Sequence, residues 1–176
     1  CSEKNPTTPS IFPEVEKQNI DGVQLEKAFQ AAQQDSGVSA LILARNDIVV
    51  AEEIFHLGII DTTQNIYSVT KSIISILTGI ALEKGLLPSI DQKIGPILEK
   101  ISEAYGPEHE NLTFRHLLTM SSGLPWSELD AEATDYGKWL EADNQVDYVL
   151  SLPFIHPPGQ TFTYNSGASH LLSVIL

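Results

Sequence analysis

The apolar positions first follow a helical period, then two strand-like runs, then helical periods again to the end of the chain. Leu25, Ala28, Phe29 and Ala32 fall at i, i+3, i+4 and i+7, which predicts a helix over about 22–35, ended by Ser36-Gly37. Two β-rich runs follow, 38–45 and 48–55, with Asn46-Asp47 suited to a two-residue hairpin turn. The first run is apolar at almost every position, which predicts a sheet covered on both faces. A lone hairpin is marginal in water, so further strands are expected to complete the sheet. A long helix is predicted from about Ser68 to Lys84, where Ile73, Ile74, Ile76, Leu77, Ile80 and Ala81 make a broad apolar face before Gly85. Thr113 suits the cap of a short helix carrying His116, Leu117 and Leu118. A further helix is expected over about 145–151, a proline-rich loop over 153–159, and a last helix from about Ser166. The final residues include Leu171, Leu172, Val174, Ile175 and Leu176, a run that predicts a continuation to pack against.

Composition narrows the class without naming a function. A hydrophobic fraction of 42% and a charged fraction of 19% are those of a globular domain with a core. The net charge of −13 repels phosphate backbones and argues against nucleic-acid binding. The single cysteine, Cys1, allows no intrachain disulfide. It stands where an initiator Met is absent and is followed by a polar run through Ser10, rich in proline and threonine. That start resembles a mature bacterial lipoprotein, which implies a lipid on Cys1, membrane attachment and an extracytoplasmic location. Residues 1–18 are accordingly expected to be a flexible tether and 19–176 the domain.

The chemistry centres on Ser68-Val69-Thr70-Lys71. The spacing alone arises about once by chance in a chain of this composition. Its physical logic is more specific. Residues three apart on a helix share a face, about 4.5 Å apart along the axis. The positive end of the helix favours a developing oxyanion at Ser68 and, with burial, disfavours the charged form of Lys71, leaving an amine able to accept the serine proton. The bland alternative is a capping serine and a solvated lysine. Histidines 56, 109, 116, 156 and 170 show no metal-ligand spacing, and no metal or cofactor is expected. Trp126, Tyr136 and Trp139 are read as packing residues more readily than as a cleft lining.

Three segments carry a family resemblance. Ile66-Tyr67-Ser68-Val69-Thr70-Lys71-Ser72 is similar to the first motif of serine β-lactamases and penicillin-binding proteins. Residues 117–124, LLTMSSGL, resemble the "LLTHTSGL" segment of the class C and esterase branch, with Met120 where a His is common. Residues 158–166, PGQTFTYNS, resemble its "PGxxFxYSN" segment. The resemblance spans about residues 38–176 and implies an α+β fold, an antiparallel sheet flanked by helices plus an all-helical region. It also implies that Tyr164 meets Ser68 and Lys71 and shuttles the proton. The third position of Tyr-x-Asn is Ser166 here, as in members like the 6-aminohexanoate-dimer hydrolase. A serine can hydrogen-bond Lys71 or substrate but offers no amide NH2, which argues more against β-lactam hydrolysis than against acyl transfer. The family's Lys/His-x-Gly strand, which supplies an oxyanion donor and sheet partners, would lie beyond residue 176. The chain therefore reads as the N-terminal portion of such a domain, needing the remainder of that domain.

Three functions are compatible with this sequence. The first is a serine hydrolase acting on a small ester, amide or peptide-like substrate. The second is a binding or sensing lipoprotein of the same fold that acylates slowly or not at all. The third is a structural surface protein, which leaves the motifs as coincidence.

Overall fold

The computed structural model describes residues 10–11, 15, 17–55, 63–128 and 135–176. The chain forms two compact units, residues 1–65 and 66–176.

The first unit is a small sheet with one helix. Asp21 accepts from the backbone N–H of Val23 and Gln24 at 2.9 and 3.1 Å, and so starts α1 (Gly22–Gln34). β2 (Ala40–Arg45) and β3 (Ile48–Ile54) form the hairpin. Asn46 and Asp47 both adopt positive φ, 51° and 61°, as a turn matched to strand twist requires. Leu43 pairs with Ala51 and Ala44 with Val49, so Val50 is an extra residue on β3. The bulge turns both Val50 and Ala51 inward, where they pack with Leu25 and Phe29.

A third strand, β1 (Ser10–Ile11), pairs antiparallel with β3, giving the order β1-β3-β2. It lies inside the segment expected to be a tether, as does the buried Val15. Pro9 and Pro13 bracket a short window with intact backbone N–H groups, enough to satisfy part of the open edge of β3. Residues 1–9, with Cys1, lie outside the described residues. Within this unit Leu41 and Leu43 pack towards α1, while Ile42, on the other face of β2, is 59% exposed. Among the described residues of this unit α1 is the one helix, and it covers one face.

The second unit is helical. α2 (Val69–Glu83) ends in a Schellman turn, with Gly85 at φ 67° donating to Leu82 and Leu86 donating to Ala81. α3 (Gly95–Ile101), a 3-10 turn (Pro107–His109), α4 (Phe114–Leu118), α5 (Asp135–Glu141), α6 (Gln145–Ser151) and α7 (Ser166–Ile175) follow. Thr113, Asn144 and Asn165 cap α4, α6 and α7 with their side chains. α7 runs through the centre and meets α2, α4, α5 and α6. Ile94, Leu98, Leu112, Leu117, Leu124, Val149 and Leu171 are fully buried around it. α2 is apolar nearly all round, and Ile74, Ala81 and Leu82 turn to this core while Ile73, Ile76 and Ile80 face out. Among the described residues, no helix is long and apolar enough to cross a membrane.

Candidate active site

The nucleophile candidate sits on a tight turn. Tyr67 has φ 42°, a left-handed conformation costly for a bulky side chain. Bonds from the N–H of Val69, Thr70 and Lys71 to the carbonyls three residues back wind the start of α2 more tightly than an α-helix. Ser68 is the N-cap of α2, yet its hydroxyl caps nothing. It turns instead to two other side chains. Ser68 Oγ lies 2.5 Å from Tyr164 Oη, and Lys71 Nζ donates to Ser68 Oγ at 3.0 Å. Lys71 Nζ also donates to Ser166 Oγ at 2.9 Å and stands 4.9 Å above the Tyr164 ring, within cation–π range. The four side chains singled out in the sequence, Ser68, Lys71, Tyr164 and Ser166, are thus brought into one hydrogen-bonded group. Ser68 and Tyr164 are exposed, and Lys71 and Ser166 are half-buried.

The two loop motifs build the far side of this group together. Ser121 and Met120 accept from the N–H of Gly159 and Thr163 at 2.7 and 2.9 Å, and Gly123 accepts from Ile155 at 3.0 Å. These bonds fix the segment that delivers Tyr164 and Ser166. Met120, where the resemblance sets a His, adopts φ 50°; its backbone carbonyl makes the bond to Thr163. Gly123 has φ 85°, and a Cβ there would stand 2.1 Å from the His156 carbonyl oxygen, so only glycine allows the two loops to approach.

Asn165, between Tyr164 and Ser166, is completely buried and caps α7 by accepting from Ala168 N–H at 2.8 Å. One participant was not visible in the sequence. Glu128 Oε1 accepts from the Ser166 backbone N–H at 2.9 Å and from the Trp126 indole N–H at 3.0 Å. A glutamate in an irregular loop carries no periodic or motif signal. Only the fold brings it to a helix start 38 residues away.

The other candidates do not join the Ser68–Lys71–Tyr164–Ser166 group. Trp126 and Tyr136 each pack on Trp139, with ring centroids 6.1 and 5.6 Å apart. His170 stacks edge-on against Trp139, and burial pushes its imidazole below 6.5; burial lowers His116 in the same way. His109 is buried, its Nδ1 accepting from Gly106 N–H, and His56 lies outside the described residues. Among the described residues, no three His, Cys, Asp or Glu side chains cluster as metal ligands would.

Comparison with known proteins agrees with this architecture. No curated protein matches the chain. Among solved structures it is similar to the "Putative 6-aminohexanoate-dimer hydrolase from Bacillus anthracis", with a TM-score of 0.65 and 15% sequence identity. The match covers 86% of this chain and 41% of that one, so the chain spans about two fifths of the neighbour's length. At that identity the likeness is one of fold. The Beta-lactamase family model matches residues 23–176, a stretch that holds every side chain of the site, and the chain belongs to that family.

Proposed function

We propose that the protein is a serine hydrolase that cleaves an ester or amide through an acyl-enzyme on Ser68. One observation carries the reading: Ser68 Oγ is at hydrogen-bond distance from the Tyr164 hydroxyl and from Lys71 Nζ at once. A serine hydroxyl is a weak nucleophile until a neighbouring base takes its proton. In acylation Oγ attacks the carbonyl carbon while its proton passes to the Lys71–Tyr164 pair. The pair returns a proton to the departing alcohol or amine. Water then attacks the acyl carbon, gives up a proton to the same pair, and Ser68 regains its hydrogen as the acid leaves. The Ser68 N–H, at the positive end of α2, is one donor for the oxyanion. Ser166 also holds the amine, through the 2.9 Å bond. The hydrolase of like fold supports the reaction class, and family membership supports the superfamily.

The test is covalent labelling of the intact protein with a fluorophosphonate, read by mass. One adduct on Ser68, absent from Ser68→Ala, is expected; a wild type that stays unlabelled contradicts the proposal. Ser166 presents a hydroxyl where an amide side chain would present NH2, so p-nitrophenyl esters are expected to turn over and nitrocefin only slowly. Rapid nitrocefin hydrolysis would overturn the preference for esters.

A further inference from the structure

We propose that Glu128 is a positioning residue of this site, acting on Lys71 through Ser166; the inference rests on the function proposed above. Ser166 is the first residue of α7, a helix of 10 residues, and it is bonded in two directions. Its hydroxyl accepts from Lys71 Nζ at 2.9 Å, and its backbone N–H donates to Glu128 Oε1 at 2.9 Å. A single residue therefore couples the carboxylate to the amine that touches Ser68. Asn165 already serves the Ala168 N–H, so Glu128 is not a duplicate cap but satisfies the first amide of the helix.

The segment 126–128 holds the start of α7 by two further contacts. The Trp126 ring lies over Gly167, where an added Cβ would stand 2.6 Å from Cζ3 and 2.7 Å from Cη2. The same indole donates to the same Glu128 oxygen at 3.0 Å, which fixes the carboxylate against the helix start. The segment is itself anchored to α5: Ser127 N–H donates to Asp135 at 2.9 Å, and its carbonyl accepts from Tyr136 N–H at 3.2 Å. A half-buried carboxylate is costly unless its oxygens are used, and two N–H donors with the positive end of α7 offset that cost. The arrangement sets the height of α7's first turn, and with it Ser166 and the reach of Lys71 towards Ser68. Reaction rates are sensitive to such placement at the scale of an ångström.

An acceptor and a charge make different predictions. Glutamine keeps Oε1 as an acceptor for both N–H groups and removes the charge; alanine removes both. The intact wild type, Glu128→Ala and Glu128→Gln are compared by ester hydrolysis and by the rate of fluorophosphonate labelling. Glu128→Ala is expected to lower kcat and labelling rate about 10–100-fold with KM little changed. Glu128→Gln is expected to stay within about threefold of wild type, with the same pH midpoint of kcat/KM. A wild-type rate in folded Glu128→Ala would overturn the inference. So would a Glu128→Gln as slow as the alanine variant, or with its pH midpoint moved by about one unit or more, because the charge would then be what matters. Should Glu128→Ala fail to fold, Trp126→Phe decides: it keeps an aromatic ring in the loop but removes the indole donor to Glu128 and the Cζ3 and Cη2 carbons that reach Gly167. A lowered kcat at unchanged KM supports the inference, and an unchanged kcat overturns it. An unlabelled wild type overturns the function reading itself, whereas a labelled wild type with an equally fast Glu128→Ala overturns only the role of Glu128.

Discussion

Lys71 reaches two hydroxyls at about 3 Å, those of Ser68 and Ser166, and the proposed reaction requires it both to hold and to exchange a proton. Lysine can release its proton in a suitable environment, whereas the arginine guanidinium stays charged. Lys71→Ala is expected to slow ester turnover about 10²–10⁴-fold, the span of a lost acid–base group. Lys71→Arg is expected to recover little of it, although it keeps the positive charge. Steady-state kinetics on a p-nitrophenyl ester check both, and an arginine variant near wild-type activity would show that charge alone suffices. Ser68 and Lys71 were legible because three residues on a helix start is a local relation. Tyr164 lies 96 residues from Ser68, so nothing local pairs them; it was legible only through the resemblance of its flanking segment. Glu128 was legible by neither route.

Helices with a long apolar repeat or a capping residue stood out in the sequence: α1, α2, α6 and α7 lie within a residue or so of their expected bounds, and Thr113 caps α4. The elements that escaped are short. α3 and α5 have seven residues each, as α6 does, but α3 starts at Ile94 without a side-chain cap and α5 contains Gly137. β1 has two residues and exists because β3 offers an open edge, a reason found in the sheet and not in the segment. At this scale α7 also carries a pH dependence. Burial against Trp139 depresses the His170 imidazole from 6.5, so the unfolded chain binds that proton more tightly than the folded one. The His170 contribution to stability is complete above 6.5 and is lost as pH falls from there through the lower folded value. The urea midpoint is expected to drop between about pH 7.5 and 5.5, and His170→Phe, which keeps a ring against Trp139, is expected to lessen that drop. An identical drop in both proteins would contradict the assignment.

Across the whole molecule, the net charge of −13 told against nucleic acid but said nothing of the site, which is assembled from α2, two facing loops and the start of α7. Family membership follows from the family match over residues 23–176; the chemistry depends on whether Ser68, Lys71 and Tyr164 act as one device. Groups that manage one proton together lose function non-additively: removing either disables the device, and removing the second costs little more. The most direct measurement is therefore a double-mutant cycle on the labelling rate of Ser68 in wild type, Lys71→Ala, Tyr164→Phe and the double variant. The account predicts that each single variant is slowed strongly and that the double variant is within about tenfold of the slower single. Multiplying effects, or a Tyr164→Phe variant as fast as wild type, would contradict it.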